Sequence, residues 1–431
     1  MDPLAELLAP LTPHEALVES TRCLYCYDAP CTHACPTHID IPSFIKKIST
    51  GNLRGSALTI LNSNLLGATC ARVCPVQELC EGACVLGSEH KPIAIGRLQR
   101  HAMDSLGGDS WPLEPAPKSG HSIGVVGAGP AGLSCAGCLA LLGHEVTIYE
   151  KNELPGGLST YGIIALREPV EIALGEVEQL KKLGVQVQTN LELGRNLDLA
   201  ELRAKHSAVF LSVGLGSTPQ LSIPHERLIV DGLKYIADSK INRAALPHGN
   251  QVLVIGAGNT AIDCATIAKR MGAEHVTILY RRTEAEMTAY PHEVEFARRE
   301  GIEFRFLTQP VGANAVDGKL ASLRCTKMEL AEPDSSGRRA SRAVGGSEHD
   351  IPTDLVIKAI GQEKPSLAEQ YGLATDRGYL AVNADFETSM EGVFAGGDCV
   401  RAKGDASTVM AVQDGKMAAD AIHKKLSLVR K

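Results

Sequence analysis

The chain has 431 residues, 44% of them hydrophobic, and a formal net charge of −7 at pH 7. Such a length and composition describe a globular protein of two to four domains, and the negative charge gives no electrostatic reason to expect nucleic acid or an anionic membrane as partner. No apolar run approaches the ~20 residues that a membrane span needs. The opening Met1-Asp2-Pro3-Leu4-Ala5-Glu6 has no basic n-region, so a cytoplasmic location is expected for the thirteen cysteines, mostly unpaired.

Residues 4–20 carry an apolar periodicity that predicts a helix leading into the first cysteine run. That run is Cys23, Cys26, Cys31 and Cys35, spaced C-x2-C-x4-C-x3-C and followed by Pro36. A second run holds Cys70, Cys74 (followed by Pro75), Cys80 and Cys84. A cubane iron–sulfur cluster needs several soft thiolates converging on one small volume. Short-spaced cysteines supply three, and a distant one closes the site. Proline directly after the last cysteine is also a habit of bacterial ferredoxins, in which that cysteine serves the other cluster. The reading is two [4Fe–4S] clusters with ligands shared between the runs. Structural zinc would more naturally show two C-x2-C pairs, and disulfides would need an oxidising compartment. Residues 41–66 read as helices, so residues 1–116 form a helical domain with the clusters as much of its core.

A Gly/Pro-rich linker covers 107–120, with the single tryptophan, Trp111, as a packing anchor. Next comes a strand, the loop Gly127-Ala128-Gly129-Pro130-Ala131-Gly132, an Ala/Leu-rich helix and a second strand ending in Glu150. Strand, G-x-G-x-x-G turn, helix, strand and terminal acid make the dinucleotide fingerprint, with the acid placed for ribose hydroxyls. The pattern returns at Gly256-Ala257-Gly258-Asn259-Thr260, an internal repeat of a whole βαβ unit. Here the second strand ends in Arg281-Arg282. A guanidinium grips the 2′-phosphate of NADP where an acid would repel it, which favours NADPH over NADH. The plainer alternative is two solvated surface charges. Residues 311–352 read as two strands around a polar insert at 332–339. The C-terminal region adds a strand into Gly396-Gly397-Asp398. A helix from near Ser407 follows, its N-terminus aimed at a flavin edge.

Cys135-Ala136-Gly137-Cys138 has a redox-motif spacing. It lies inside the helix after the first glycine loop, however, where small residues serve packing. The fold class expected is α/β: an N-terminal helical iron–sulfur domain (1–116), an FAD-binding domain (117–220 and 361–431) and a nested NAD(P)-binding domain (221–360), both Rossmann-like.

Two nested dinucleotide folds closed by Gly-Gly-Asp resemble the two-nucleotide flavoprotein oxidoreductases. With the cysteine runs added, the chain resembles the NAD(P)H-oxidising, FAD and iron–sulfur portion of dihydropyrimidine dehydrogenase. The resemblance is carried by residues 35–45 (Cys-Pro-Thr-His-Ile-Asp-Ile-Pro-Ser-Phe-Ile), 95–99 (Ile-Gly-Arg-Leu-Gln), 156–160 (Gly-Gly-Leu-Ser-Thr) and 394–398 (Phe-Ala-Gly-Gly-Asp). It implies one cluster on Cys23, Cys26, Cys31 and Cys84. The other would sit on Cys35, Cys74, Cys80 and the amide oxygen of Gln99, leaving Cys70 a bystander. Implied FAD positions are Gly127, Gly129, Pro130, Ala131, Glu150, Lys151, Leu158, Arg167, Gly397 and Asp398. Implied NADP positions are Gly256, Ala257, Gly258, Asn259, Thr260, Arg281 and Arg282. Where the family often reads Ile-Pro-x-Phe-Arg-Leu-Pro, this chain has Ile163-Ile164-Ala165-Leu166-Arg167-Glu168-Pro169. The implied activity is electron transfer from NAD(P)H through FAD and the clusters to an FMN- and iron–sulfur-containing catalytic subunit in a hetero-oligomer, with no catalytic side chain singled out. The small subunit of glutamate synthase is similar too and shares this architecture.

Overall fold

The computed structural model describes residues 2–333, 339–401 and 406–428. Its contacts divide the chain into two compact units. One holds Leu7–Thr160, Val170–Leu215 and the chain from Lys364 onward; the other holds the N-terminal residues to Glu6, Tyr161–Pro169 and Gly216–Glu363.

In the first of these units the helix expected over 4–20 starts only at Pro13 and runs to Thr21. Prolines at 10 and 13 disfavour helical backbone in the residues before them. Thr12 and Glu15 then fix the start with a capping box, in which the Thr12 amide donates to the Glu15 carboxylate at 2.8 Å. Helices Ile41–Ser49, Leu53–Leu61, Gly67–Val73 and Ile95–Asp104 follow. They pack around Phe44, Ile45, Ile60 and Leu98, all with no solvent exposure. Each such burial contributes roughly 1.5–3 kcal/mol. Trp111 is buried, and its backbone N–H donates to Gln179 Oε1 at 3.1 Å.

The same unit contains a five-stranded parallel sheet in the order Val393–Ala395, Ala208–Leu211, Ser122–Val126, Glu145–Tyr149, Gln186–Gln188. Ala208 to Leu211 is buried at every residue, the continuous apolar run of a strand covered on both faces. Helix Pro130–Leu141 packs against the C-terminal helix Thr408–Leu428 so closely that a Cβ on Gly415 would lie 2.1 Å from the Ala131 carbonyl oxygen. On another side, a Cβ on Gly137 would lie 2.5 Å from Leu65. The cysteine-bearing helices and the first dinucleotide fold therefore share one continuous core.

The second unit repeats the topology. Its parallel sheet runs Val230–Asp231, Leu355–Lys358, Gln251–Ile255, His275–Leu279, Glu303–Arg305. An antiparallel sheet occupies the region read as two strands; the described residues form Thr308–Val316, Lys319–Pro333, Arg339–Ala343 and His349–Pro352. The long strand Lys319–Pro333 pairs with different neighbours along its length. Arg339-Ala340-Ser341-Arg342-Ala343 is too polar to show the alternation of a half-buried strand. Of the insert expected at 332–339, residues 334–338 lie outside the described residues.

Candidate cofactor sites

The cysteines gather into two sets. Cys23, Cys26, Cys31 and Cys84 line one recess with apolar walls that include Ile45 and Ile93. Burial pushes the Cys31 thiol up to about 11, with Cys23 and Cys84 adding to the effect. Cys23 is raised as well, by burial first and then by Cys26 and Cys84. In the other set, Cys74 is held well above the ordinary thiol range by its hydrogen bond with Cys70, by burial, and by the charges that Cys70, Cys80 and Cys35 would carry. Burial also raises Cys80, with Glu81 and then Cys35 and Cys31 adding to the effect. All thirteen cysteines are free thiols. Thiols crowded this way resist ionising together until cations collect them, which fits iron held by thiolates.

The helix that carries Cys70 and Cys74 is clamped at its start. The Glu176 carboxylate accepts from the Ala68 and Thr69 amides at 2.7 and 3.3 Å. The buried Gln99 Nε2 donates to the Gly67 carbonyl at 2.8 Å, which commits its amide nitrogen and leaves the amide oxygen for other use. Glu176 had no signal in the sequence; it is one acid among several in an ordinary amphipathic helix.

At the first glycine loop, Gly127 has φ 99°, and a Cβ there would lie 2.4 Å from the Ser212 carbonyl oxygen. Glycine is required on both counts. Gly129, by contrast, faces open space, where a Cβ would meet only Gly157 Cα at 3.9 Å. Helix Pro130–Leu141 starts without a side-chain cap. Its first amides are therefore available to a pyrophosphate, and the cradle fits a dinucleotide. Glu150 is 4% exposed; its carboxylate accepts from the Ala128 and Asn152 amides, both at 2.8 Å. It thus braces the loop. Gly397, at φ 80°, packs on Ala131, where a Cβ would meet Ala131 Cβ at 2.9 Å. Pro130, Ala131, Glu150, Gly397 and Asp398 are thereby brought to one loop cluster. Lys151 and Leu158 are exposed.

Asp398 is raised by burial, with Arg401 opposing and Asp414 adding to the shift. Asp414, on the C-terminal helix, accepts from the Gly397 N–H at 3.0 Å and pairs with Arg401. Asp414 carries no signal in the sequence, since it interrupts an otherwise small-residue stretch with no motif around it. The helix itself runs Thr408–Leu428, with the Ser407 hydroxyl accepting from the Met410 amide at 3.4 Å.

In the second unit, Gly256 has φ 133°, and a Cβ would lie 2.0 Å from the Ala359 carbonyl oxygen. Helix Asn259–Arg270, which begins with Asn259 and Thr260, also lacks a side-chain cap. At Gly258 a Cβ would press on Thr288 Oγ1 at 3.3 Å. The Ala257 carbonyl accepts from Thr288 and Ala289, and Asn259 Oδ1 from the Tyr290 amide, so residues 288–290 lie along the loop. Arg281 is exposed; Arg282 is half-buried, with its Nε buried and unpaired among the described residues. Arg167 belongs to this unit and not to the one containing the Gly127 loop. Its guanidinium pairs with Asp263 at 2.8 Å and Glu293 at 2.7 Å.

A family profile described as dihydropyrimidine dehydrogenase domain II, 4Fe-4S cluster, matches residues 2–110, and one described as pyridine nucleotide-disulphide oxidoreductase matches residues 121–416. The chain is 33% identical to the glutamate synthase [NADPH] small chain of Escherichia coli K12, over 97% of this chain and 93% of that one. It is 34% identical to the NAD-dependent dihydropyrimidine dehydrogenase subunit PreT of Escherichia coli O157:H7, over 98% and 97%. Among solved structures, Mycobacterium tuberculosis FprA in complex with NADPH aligns with a TM-score of 0.58 at 19% identity, over 73% of this chain and 86% of that one, a likeness of fold. No helix among the described residues is long and apolar enough to cross a membrane. The chain belongs to the pyridine nucleotide-disulphide oxidoreductase family, as an NAD(P)H-dependent oxidoreductase with an iron–sulfur domain ahead of two nested nucleotide folds.

Proposed function

We propose that this chain is the electron-input subunit of a dihydropyrimidine dehydrogenase, oxidising NAD(P)H and passing electrons through two [4Fe–4S] clusters to an FMN- and iron–sulfur-containing partner that reduces uracil or thymine. The observation that carries the electron-transfer reading is the single core shared by the two cysteine sets and the first dinucleotide fold. FAD bound here would supply the conversion of a two-electron hydride into the single electrons that one-electron clusters require. This chain's residues bind and orient. Gly127, Gly129 and the amides of helix Pro130–Leu141 cradle the flavin nucleotide's pyrophosphate, and Glu150 meets its ribose. The loop at Gly256 receives the nicotinamide dinucleotide, with Arg281 and Arg282 for a 2′-phosphate. Cys23, Cys26, Cys31 and Cys84 hold one cluster; Cys35, Cys74, Cys80 and Gln99 hold the other.

The pyrimidine partner is supported by the match of the N-terminal domain to a dihydropyrimidine dehydrogenase domain and by coverage of nearly the whole PreT chain. A second reading, the small subunit of glutamate synthase, is favoured by Arg281-Arg282, which suits NADPH, the coenzyme in that relative's name, whereas PreT is named NAD-dependent. The test is anaerobic co-purification from the native cell, with NADPH- and NADH-dependent thymine reduction and 2-oxoglutarate/glutamine assays on the eluate. A co-purifying FMN iron–sulfur subunit with thymine reduction supports the proposal. A large amidotransferase subunit that makes glutamate replaces it with the second reading.

A further inference from the structure

The second cysteine set has a neighbour that neither motif nor spacing singles out. Cys35 ends helix Pro30–Ala34, and the His38 N–H donates to the Cys35 carbonyl at 2.9 Å, closing a turn over Cys35-Pro36-Thr37-His38. Proline in the second position presets that turn. The turn brings Thr37 back onto its own cysteine, with Thr37 Oγ1 3.4 Å from Cys35 Sγ. Thr37 has no solvent exposure, Cys35 is 8% exposed, and the Thr37 hydroxyl makes no other hydrogen bond among the described residues. A buried hydroxyl without a partner is costly. A thiolate sulfur can only accept, so once Cys35 holds iron the hydroxyl must be the donor.

The backbone of the turn is anchored from the flavin fold. Lys416 Nζ donates to the carbonyls of Thr37 and Ser63, each at 3.0 Å. Lys416 lies two residues beyond Asp414, the carboxylate that takes the Gly397 N–H beside Asp398. One helix therefore steadies both the Gly397 turn and the turn that carries Cys35 and Thr37. We propose that Thr37, held by Lys416, is a positioning residue whose hydroxyl donates to the Cys35 thiolate and raises the reduction potential of the cluster on the second cysteine set. The physical basis is general. A reduced cluster carries one more negative charge, and hydrogen bonds to ligand sulfur and nearby cations favour it. The proposal rests on the cluster reading given above.

The test is anaerobic EPR potentiometry on the full chain, with iron and acid-labile sulfide measured on every sample. Thr37→Val removes the hydroxyl at nearly constant shape, and Thr37→Ser keeps it. The expected result is unchanged iron in both. One of two cluster midpoints should fall in Thr37→Val and return toward wild type in Thr37→Ser, while the other midpoint stays put. Loaded Thr37→Val protein with both midpoints at their wild-type values overturns the proposal. If Thr37→Val does not load, Thr37→Ala removes the hydroxyl with less bulk at the buried site. A downward shift of one midpoint then supports the proposal, and no shift overturns it. Wild-type protein lacking iron and sulfide would instead overturn the cluster reading, and this proposal with it.

Discussion

Replacing Arg167 with methionine should destabilise the second unit strongly and in a pH-dependent way. The guanidinium lies between Asp263 and Glu293, whose side chains are 8% and 13% exposed. Removing one partner of a buried ion pair while leaving its counter-charges in place costs about 3–5 kcal/mol. Burial already pushes Asp263 up to about 6, with Arg167 pulling it down and Glu293 pushing it further up. An aspartate titrates near 3.9 when unfolded, so between about pH 4 and 6 the folded state binds more protons than the unfolded state. Stability contributed by this group therefore falls as pH rises through that window, by about 3 kcal/mol at ~1.4 kcal/mol per pKa unit. Without Arg167 the upper edge of the window moves higher. The penalty of Arg167→Met should be full at pH 8 and smaller at pH 5.5, where Asp263 is protonated in the folded protein. Urea unfolding of wild type and variant at both pH values measures this. A variant within about 1 kcal/mol of wild type at pH 8, or a penalty that grows on acidification, would refute the reasoning.

Three further outcomes follow from the same geometry. Arg282→Ser, alone or with Arg281→Ser, should raise KM for NADPH by roughly 10–100-fold, the worth of one charge-assisted hydrogen bond. KM for NADH should change little; steady-state assays with an artificial acceptor that find both coenzymes equally affected would leave the arginines no role at the 2′-phosphate. The double change Cys135→Ser and Cys138→Ser should leave that acceptor activity within a few-fold, because burial holds Cys135 well above the usual thiol range and Cys138 at about 12, so neither is a thiolate at neutral pH. A large loss with FAD still bound would restore a dithiol route. Gly127→Ala meets both a left-handed backbone, at ~1–2 kcal/mol, and the Ser212 carbonyl. The variant should purify with little or no flavin by absorbance, and full flavin content would contradict the loop assignment.

Much of the fold could be read from the sequence because its repeated unit has a strong local signature. Both glycine loops, their flanking strands and their helices fall where periodicity and turn chemistry place them, since φ values of 99° and 133° and sub-van-der-Waals neighbours leave only glycine at Gly127 and Gly256. Elements fixed by tertiary contact were not legible. The first helix is shortened by a capping box that competes with apolar periodicity. Strand Arg339–Ala343 is held by pairing with Lys319–Pro333 and not by its own alternation. The cysteine runs announce a cluster domain, but what positions them comes from far along the chain: Glu176 and Lys416 lie more than a hundred residues from the groups they hold. The polar character of Asp414 is likewise explained only once its helix is seen against Gly397. The ion pairs of Arg167 with Asp263 and Glu293 are another tertiary contact with no signal in the sequence, since the partners lie 96 and more residues further on.

The most direct test of the electron-input reading is anaerobic titration of the purified chain with NADPH, followed by optical and EPR spectra of the same samples. The account predicts flavin bleaching together with two distinguishable iron–sulfur signals, accompanied by two clusters' worth of iron and acid-labile sulfide. Flavin reduction without any cluster signal in iron-loaded protein, or protein carrying zinc in place of iron, would contradict it.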